Sequence, residues 1–223
     1  MKFGCGVDEV RMQRAASRVQ QLANVQADDL VLVRGGRRVQ HGLSFRAAAG
    51  ESLAVTGRNG AGKTSLLRAI AGFLEPRAGE IRFRLKSGDV ISGSEERGPY
   101  TGWIGHLDGV KPQLTPAEHL KFHLAFEGRT GDVGATLQQI GLGQLRDLPA
   151  QYLSAGQRRR LALARLMLAK RPLWLLDEPF SALDAEGKRF VRTLIEHHCA
   201  EGGIVIAATH EPLGLQGAAL ELC

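Results

Sequence analysis

The chain has 223 residues, enough for one domain with a substantial core and too few for two ordinary domains. Hydrophobic residues make up 43% and charged residues 23%, which is typical of a globular protein. No segment approaches the roughly 18 uninterrupted apolar residues of a membrane-spanning helix. The net charge of +6 suits nucleic acid, an anionic membrane or a phosphate ligand. Because Cys5, Cys199 and Cys223 are far apart, a disulfide framework or zinc site is not indicated, and a reduced, cytoplasmic setting is expected.

The N-terminal segment, residues 1–26, is basic and polar and differs from the rest of the chain. Four apolar residues within it, Met12, Ala15, Val19 and Leu22, follow helical spacing, which would suit an amphipathic helix on a membrane surface. We interpret the segment instead as a poorly ordered or extraneous arm. Residues 27–223 are then predicted to form a single domain.

The remainder of the chain alternates strand and helix patterns. Residues 30–57 predict three short strands separated by glycine-rich turns, and residues 62–71 predict a helix. Residues 86–99 are polar and glycine-rich, as in a loop, and residues 114–170 are mostly helical. The runs "PLWLLD" and "GGIVIAATH" are continuously apolar, which is typical of parallel strands covered on both faces.

A phosphate-binding loop is predicted at "GRNGAGKTS", which fits G-x-x-x-x-G-K-[ST] between a strand and a helix. Glycines let the backbone wrap closely around phosphates, and the following helix directs free N–H groups at them. The lysine should reach the β- and γ-phosphates, and the threonine hydroxyl should bind Mg²⁺. The predicted nucleotide-binding residues are Gly57, Arg58, Asn59, Gly60, Ala61, Gly62, Lys63, Thr64 and Ser65.

Acidic residues at the end of a later strand complete this prediction. Asp177 follows "LWLL", at the strand end where ligands of parallel sheets bind, and is predicted to help hold Mg²⁺. Glu178 is predicted to act as the base that orients the attacking water. His210 ends the last apolar run and can contact the γ-phosphate, although a loop histidine without a ligand fits the same position.

A second anion-binding helix start is predicted at "LSAGQ", where Ser154 is a good N-cap for a long arginine-rich helix. It belongs to the insertion between Lys63 and Asp177. A single chain cannot easily fold this motif onto its own phosphate loop, whereas a second copy of the chain can.

These motifs resemble those of the ATP-binding subunits of ABC transporters. The resemblance covers about residues 28–223 and rests on "GRNGAGKTS", "LSAGQ", "LLDEP", "SALD" and "TH" in that order. It implies an α/β P-loop NTPase fold with a RecA-like core, an antiparallel β region and an inserted helical subdomain at about residues 107–160. It also implies two subunits packed head to tail, with Ser181 and Asp184 at their contact. Each ATP would lie between Lys63 of one subunit and Ser154, Gly156 and Gln157 of the other.

Two positions depart from the pattern of that family. Arg34 stands where the family usually stacks an aromatic ring on adenine, and its guanidinium plane can stack less favourably. Counting back from Leu114 and Thr115, the family's sensing glutamine aligns with His106, and Gln113 is interpreted as a loop residue. A neutral imidazole nitrogen can replace the amide, so His106 is predicted to sense Mg²⁺ and water in the catalytic site.

Within the family, "WIGH", "LSAGQRRRLALARL" and "LWLLDEPFSALD" are most similar to the ATP-binding subunit of the haem exporter of cytochrome c maturation. This resemblance implies a peripheral subunit on the cytoplasmic face of the bacterial inner membrane. Its partners would be a second copy of itself, integral membrane subunits and, indirectly, a periplasmic haem chaperone. No nucleic-acid partner is expected.

Three other interpretations remain open. The first is an ATPase of a different ABC exporter, for lipid, lipoprotein or drug, and the second is a soluble ABC protein that acts on ribosomes or DNA. The presence of Lys63, Asp177, Glu178 and His210 argues against the third, a non-hydrolysing relative. A haem or metal site on the chain itself is not expected, because neither the His119–His123 pair nor "HHC" at 197–199 has a third ligand at metal spacing.

Overall fold

The structure, a computed structural model, describes residues 21–214 and 217–222. The described residues form two β-sheets and five α-helices, the α/β class expected from the sequence. The strands are β1 (Leu22–Arg34), β2 (Arg37–Ala48), β3 (Ser52–Gly57), β4 (Ala78–Leu85), β5 (Val90–Ile91), β6 (Thr101–Ile104), β7 (Leu173–Asp177), β8 (Ile204–Ala208) and β9 (Ala218–Leu222). The helices are α1 (Lys63–Ala71), α2 (Pro116–Phe126), α3 (Val133–Gln139), α4 (Ala155–Ala169) and α5 (Ala185–Ala200).

The first sheet is antiparallel, in the order β2-β1-β4-β5. Its first strand begins at Leu22, before the domain boundary predicted at residue 27. Leu22 and Val25 are fully buried, and Leu22 lies opposite Leu85 in β4, so these residues belong to the sheet. Leu22, the last of the four apolar residues at helical spacing, therefore lies in a strand. Residues 1–20 of that segment lie outside the described residues.

The second sheet is parallel, in the order β6-β7-β8-β3-β9. Every residue of β7 and β8 is buried, because helices cover both faces of the sheet, as their continuous apolar sequences predict. Strand β9 was not predicted, and it pairs with β3 at the edge of the sheet. The main core of the protein lies between the two sheets and around α1.

The predicted loop at 86–99 contains the short strand β5 and a buried arginine. Arg97 donates hydrogen bonds to the carbonyls of Ala69 in α1, Ile81 in β4 and Ser92. Burial lowers the pKa of Arg97 from its usual value, with Glu75 and Glu95 opposing that shift. This segment thus ties the antiparallel sheet to the helix that follows the phosphate loop.

A separate apolar cluster lies within the predicted helical insertion, where α2, α3 and the first half of α4 pack together. We call this unit the helical subdomain. Helix α4 continues beyond residue 160, the predicted end of the subdomain. On another of its faces, Ala162, Leu163 and Leu166 pack against β7. One helix therefore joins the two cores. The subdomain cluster consists of Ala117, Leu120, Leu137, Ile140, Leu142, Ala150, Leu153, Leu161 and Ala164.

Helix caps mark the ends of several elements. Thr115 and Ser154 each form a reciprocal capping box at the start of α2 and α4, and Asp184 caps α5. Such caps contribute about 1 kcal/mol each. None of the helices in the described part of the chain is long and apolar enough to cross a membrane.

Candidate active site

Three neighbouring parallel strands lead into the phosphate loop, the Asp177–Glu178 pair and His210. Val55 of β3 and Asp177 of β7 both lie beside Ala208 of β8, so the carboxyl ends of these strands meet at one edge of the sheet. The phosphate loop follows β3, the Asp177–Glu178 pair ends β7, and His210 follows β8. The structure therefore brings the separate sequence motifs of the catalytic half together.

Glycines in the phosphate loop are required by the backbone itself. Gly57 has φ 135°, and a β-carbon there would collide with the carbonyl oxygen of Leu222 in β9. Gly62, at the start of α1, has φ 97°, and a β-carbon would lie 3.3 Å from Val39. Left-handed backbone of this kind favours glycine. The side chains of Arg58 and Asn59 are exposed, so both remain accessible to a nucleotide.

The β1–β2 hairpin supports the phosphate loop from one side. Gln40 of β2 donates its amide to the carbonyl of Ala61 at 2.6 Å, a contact that the sequence analysis missed. Arg34 ends β1, opposite Arg37, and its side chain is exposed. The contact of Arg34 with adenine stays a prediction.

Lys63 and Glu178 both lie close to His210. The ammonium of Lys63, 9% exposed, donates to the carbonyl of Gly57 at 2.7 Å and lies 3.1 Å from Nε2 of His210. The same Nε2 lies 3.6 Å from Oε1 of Glu178. Because an ammonium has no acceptor, His210 can accept from Lys63 only with an unprotonated Nε2. A cation, an imidazole and a carboxylate thus face one another at the phosphate loop.

Thr64 and Asp177 form the second pair of the site. The hydroxyl of Thr64 donates to Oδ2 of Asp177 at 2.9 Å, and Asp177 is only 4% exposed. Hydroxyl and carboxylate oxygens are the protein ligands that Mg²⁺ takes beside nucleotide phosphates, so these two residues fit that ion.

His106 lies in the loop after β6, and its side chain is exposed. The carbonyl of the preceding residue, Gly105, accepts a hydrogen bond from Arg159 at 3.0 Å. The same guanidinium donates to the carbonyls of Asp177 and Glu178, so one side chain, Arg159, connects the His106 loop to these two predicted site residues. Gln113 is exposed just before α2.

The "LSAGQ" motif begins α4 on an exposed surface. The Ser154 hydroxyl accepts from the backbone N–H of Gln157 at 3.2 Å, and the Gln157 side chain accepts from the Ser154 N–H at 2.8 Å. Within one chain, Gln157 is therefore part of a capping box. A β-carbon on Gly156 would lie 3.2 Å from the carbonyl of Ala182, so this motif lies beside "SALD".

Sequence reasoning missed two groups that position these motifs. Thr209, 1% exposed, accepts from the Glu211 N–H and donates to its carbonyl, which shapes the turn carrying His210. Arg159 is 3% exposed and donates both to the backbone carbonyls of Asp177 and Glu178 and to the carbonyl of Gly105, next to His106. The only sequence signal for Arg159 was its place in a run of three arginines.

The other histidines lie away from this site. His119 is buried in the helical subdomain, and its ring is 4.9 Å from that of His123. His198 stacks on Trp174 beside a cavity of about 570 Å³ at the amino ends of β7 and β8, opposite the motif residues. Burial lowers the pKa of His198 to about 4. The described residues contain no group of three or more His, Cys, Asp or Glu side chains placed to hold a metal ion.

Comparison with known proteins agrees with this architecture. The profile of the ABC transporter family matches residues 40–181. The fold is also similar to the structure of an ATP-binding subunit of an ABC transporter, with a TM-score of 0.72 and 24% identity, covering 83% of this chain and 79% of that one. Fold and motifs together define the ATP-binding domain of an ABC transporter.

Two curated relatives narrow the family further. The cytochrome c biogenesis ATP-binding export protein CcmA of Rhodopseudomonas palustris (strain BisB5) is 52% identical over 82% of this chain and 90% of its own length. The protein of that name from Bradyrhizobium diazoefficiens is 48% identical over 86% of this chain and 94% of its own length. This chain belongs to the family of cytochrome c biogenesis ATP-binding export proteins. The predicted family and fold are confirmed.

Proposed function

We propose that the chain binds ATP with Mg²⁺ at the edge of the parallel sheet and hydrolyses it to drive export in cytochrome c biogenesis. The observation that carries this proposal is the group formed by Lys63, His210 and Glu178, with Thr64 and Asp177 beside it. A cation for phosphate oxygens, a base for water and a pair of ion ligands are the parts that phosphoryl transfer to water requires.

Each of these side chains has a distinct role in the proposal. Lys63 moves from the carbonyl of Gly57 to the β- and γ-phosphates, which replace that neutral acceptor with charged ones. Glu178 orients the attacking water and accepts its proton, and His210 donates a hydrogen bond to an oxygen of the γ-phosphate through a protonated ring nitrogen. Thr64 and Asp177 would hold Mg²⁺, which supplies positive charge against the phosphate oxygens.

A second copy of the chain supplies the other wall of the site. Ser154 and Gly156 begin a helix of 15 residues, whose free N–H groups favour an anion. Ser154 is exposed, and among the contacts of the described residues its hydroxyl hydrogen-bonds only within its own capping box. Two subunits arranged head to tail would bring each exposed "LSAGQ" motif onto the partner's phosphate loop.

Membrane subunits are proposed to dock between the core and the helical subdomain. A cavity of about 210 Å³ lies there, lined by Trp103, His123 and Arg165 among others. Exposed apolar side chains flank it: Phe73 contacts the ring of Trp103, and Phe122 contacts the ring of His123. Apolar side chains exposed around one groove favour a protein partner. The ATPase would then act on the cytoplasmic face of the inner membrane.

Haem is proposed as the exported group, delivered to a periplasmic haem chaperone. The relatives' role in cytochrome c biogenesis supports this choice, because haem is the group that c-type cytochromes must receive. The competing candidate is export of a different substrate by the same ATPase.

The test combines a cellular and a biochemical measurement. A strain lacking the gene is complemented with wild type, Glu178→Gln or the surface control Glu201→Gln, and membrane and periplasmic proteins are stained for covalent haem. We expect wild type and the control to restore all c-type cytochromes, and Glu178→Gln to restore none. In the isolated complex, Glu178→Gln should bind ATP but lose hydrolysis by about 10²-fold or more.

Two results would contradict this proposal. Normal c-type cytochromes in the strain without the gene would contradict the proposed role in haem delivery, but not the proposed ATPase activity. Hydrolysis by Glu178→Gln within a few-fold of wild type would show that another group is the base.

A further inference from the structure

Three consecutive arginines in the first turns of α4 point in three directions. Arg158 donates to the carbonyl of Leu153, just before its own helix, at 2.5 Å. Arg160 donates to the carbonyl of Ile140 at 3.0 Å, inside the helical subdomain. Arg159 is 3% exposed and points into the α/β core. Successive residues on a helix are about 100° apart, so only one of the three can face the core.

The guanidinium of Arg159 joins two segments of the catalytic site. Its Nη2 donates to the carbonyls of Asp177 and Glu178, both at 2.7 Å. Its Nη1 donates to the carbonyl of Gly105 at 3.0 Å and to the carboxylate of Asp108 at 2.9 Å. The planar fork of a guanidinium suits several acceptors at fixed directions, whereas an ammonium is a point donor. Asp108 also balances the buried positive charge.

The carbonyl of Glu178 belongs to a strained residue. Glu178 has φ 49°, a left-handed backbone that costs an L-residue free energy. Its N–H donates to Ala208 of β8 at 2.8 Å, and its carbonyl accepts from both Arg159 and Ser181. Strained backbone persists where the surroundings determine it from several sides. Arg159 is the contact to Glu178 that comes from the helix of the "LSAGQ" motif.

The other two acceptors flank His106. Gly105 precedes His106, and Asp108 lies two residues after it, so Nη1 of Arg159 holds the loop on both sides of that histidine. Arg165, six residues further along α4, donates to the carbonyl of Asp108 at 2.8 Å. The loop is therefore attached to α4 by two arginines.

We propose that Arg159 is a positioning residue that makes the orientation of Glu178 and of the His106 loop depend on the position of α4. This inference rests on the proposed role of Glu178 as the base. Because α4 carries Ser154 at its start, a nucleotide held by the partner's phosphate loop would act on the same helix that fixes the base. Arg159 touches no reacting atom and acts through the backbone of Glu178.

The test compares Arg159→Lys with the matched control Arg160→Lys in the transporter complex isolated from membranes through a tag on this chain. Thermal unfolding, KM for ATP and kcat are measured for each. Since a displacement of about 1 Å in a catalytic group can cost about 100-fold, we expect kcat of Arg159→Lys to fall by about 10-fold or more. KM should stay within about 2-fold, because the phosphate loop is untouched, and Arg160→Lys should match wild type.

A second variant covers the case in which Arg159→Lys does not fold. Asp108 is partly exposed, and Asp108→Asn keeps its size while removing the charge that orients Nη1. We expect the same pattern, with a lower kcat and an unchanged KM. In the Glu178→Gln background neither substitution should lower the residual rate much further, because residues that act as a unit have non-additive effects.

The outcomes separate this inference from the proposed function. Wild-type kcat in both Arg159→Lys and Asp108→Asn, beside an inactive Glu178→Gln, would overturn the role of Arg159 alone. So would losses that add fully to that of Glu178→Gln, or equal losses in Arg160→Lys. An active Glu178→Gln would overturn the proposed base itself.

Discussion

The two halves of the proposed ATP site differ in how far one chain completes them. In the phosphate-loop half, Lys63, Asp177 and Glu178 are partly or fully buried and contact side chains from three neighbouring strand ends. In the "LSAGQ" half, Ser154 is exposed, and the contacts of its hydroxyl stay within one helical turn. One half is organised by the core, and the other is a free helix start.

From this difference we expect hydrolysis to be controlled by assembly of the dimer. The phosphate-loop half can be assembled by folding alone, since its residues follow adjacent parallel strands. In the proposed dimer, the "LSAGQ" half acquires a ligand through another copy of the chain, and α4 connects the two halves through Arg159. Assembly of the dimer is thus expected to change the surroundings of the base as well as to close the site.

A charge placed at the free helix start tests whether the partner's nucleotide completes the "LSAGQ" half. Ser154→Asp keeps an N-cap residue but puts a carboxylate against the partner's ATP, whereas Ser154→Asn caps the helix without charge. In the Glu178→Gln background, we expect Ser154→Asp to weaken ATP-induced dimerisation by at least about 10-fold, because like charges meet. Sedimentation velocity with and without ATP and Mg²⁺ measures this.

The neutral variant decides how that result is interpreted. Ser154→Asn should dimerise within a few-fold of its Glu178→Gln parent. If Ser154→Asp dimerises as well as Ser154→Asn, the "LSAGQ" motif does not face the partner's nucleotide, and the head-to-tail arrangement is wrong.

A substitution at His106 tests the link between the two halves, because the loop of His106 joins β6 to the helical subdomain. We expect His106→Ala to reduce the stimulation of ATPase activity by the membrane subunits by about 3- to 10-fold, the size of typical coupling energies. ATP affinity should change by less than about 2-fold, since the loop is attached through Arg159 and not to the phosphate loop. The exposed residue Gln113 supplies the control, Gln113→Ala. Loss of ATP affinity with unchanged transport per ATP would contradict the assignment.

Local motifs made the phosphate-loop half predictable from sequence. The glycine pattern, Lys63 and Thr64 stand in one strand–loop–helix unit, and Asp177 ends an unmistakable buried strand. Their mutual contacts follow from a general property of parallel sheets, in which strand ends share one edge. No tertiary detail was needed to bring them together.

Other features depended on contacts that no short segment reveals. Leu22 shares the helical spacing of Met12, Ala15 and Val19, yet Leu22 and Val25 are buried in β1 because β4 lies beside them. The collision that requires Gly57 comes from β9, whose largely exposed sequence lacks the continuous apolar run that predicted β7 and β8. Arg159 could not be distinguished from Arg158 or Arg160, because the rotation of α4 against the core is set by packing on its other faces.

The helical subdomain and the core can also be compared by their response to acid. His119 in the subdomain is 1% exposed, and neither ring nitrogen has a hydrogen-bond partner among the described residues. Burial, followed by the nearby His123, Arg165 and Lys111, lowers its pKa from 6.5 to about 4. The unfolded chain therefore binds a proton more readily between these values, so this contribution to stability is present above pH 6.5 and is lost as the pH falls toward 4.

Removing this histidine should make the protein less sensitive to acid. We expect His119→Leu, an apolar replacement, to reduce the loss of unfolding free energy between pH 7 and pH 4.5 by on the order of 1 kcal/mol. His198 in the core remains and keeps part of the dependence. Urea titrations at several pH values measure it, with the exposed His197→Gln as control. If His119→Leu loses as much stability in acid as wild type, protonation of His119 does not cause the acid dependence.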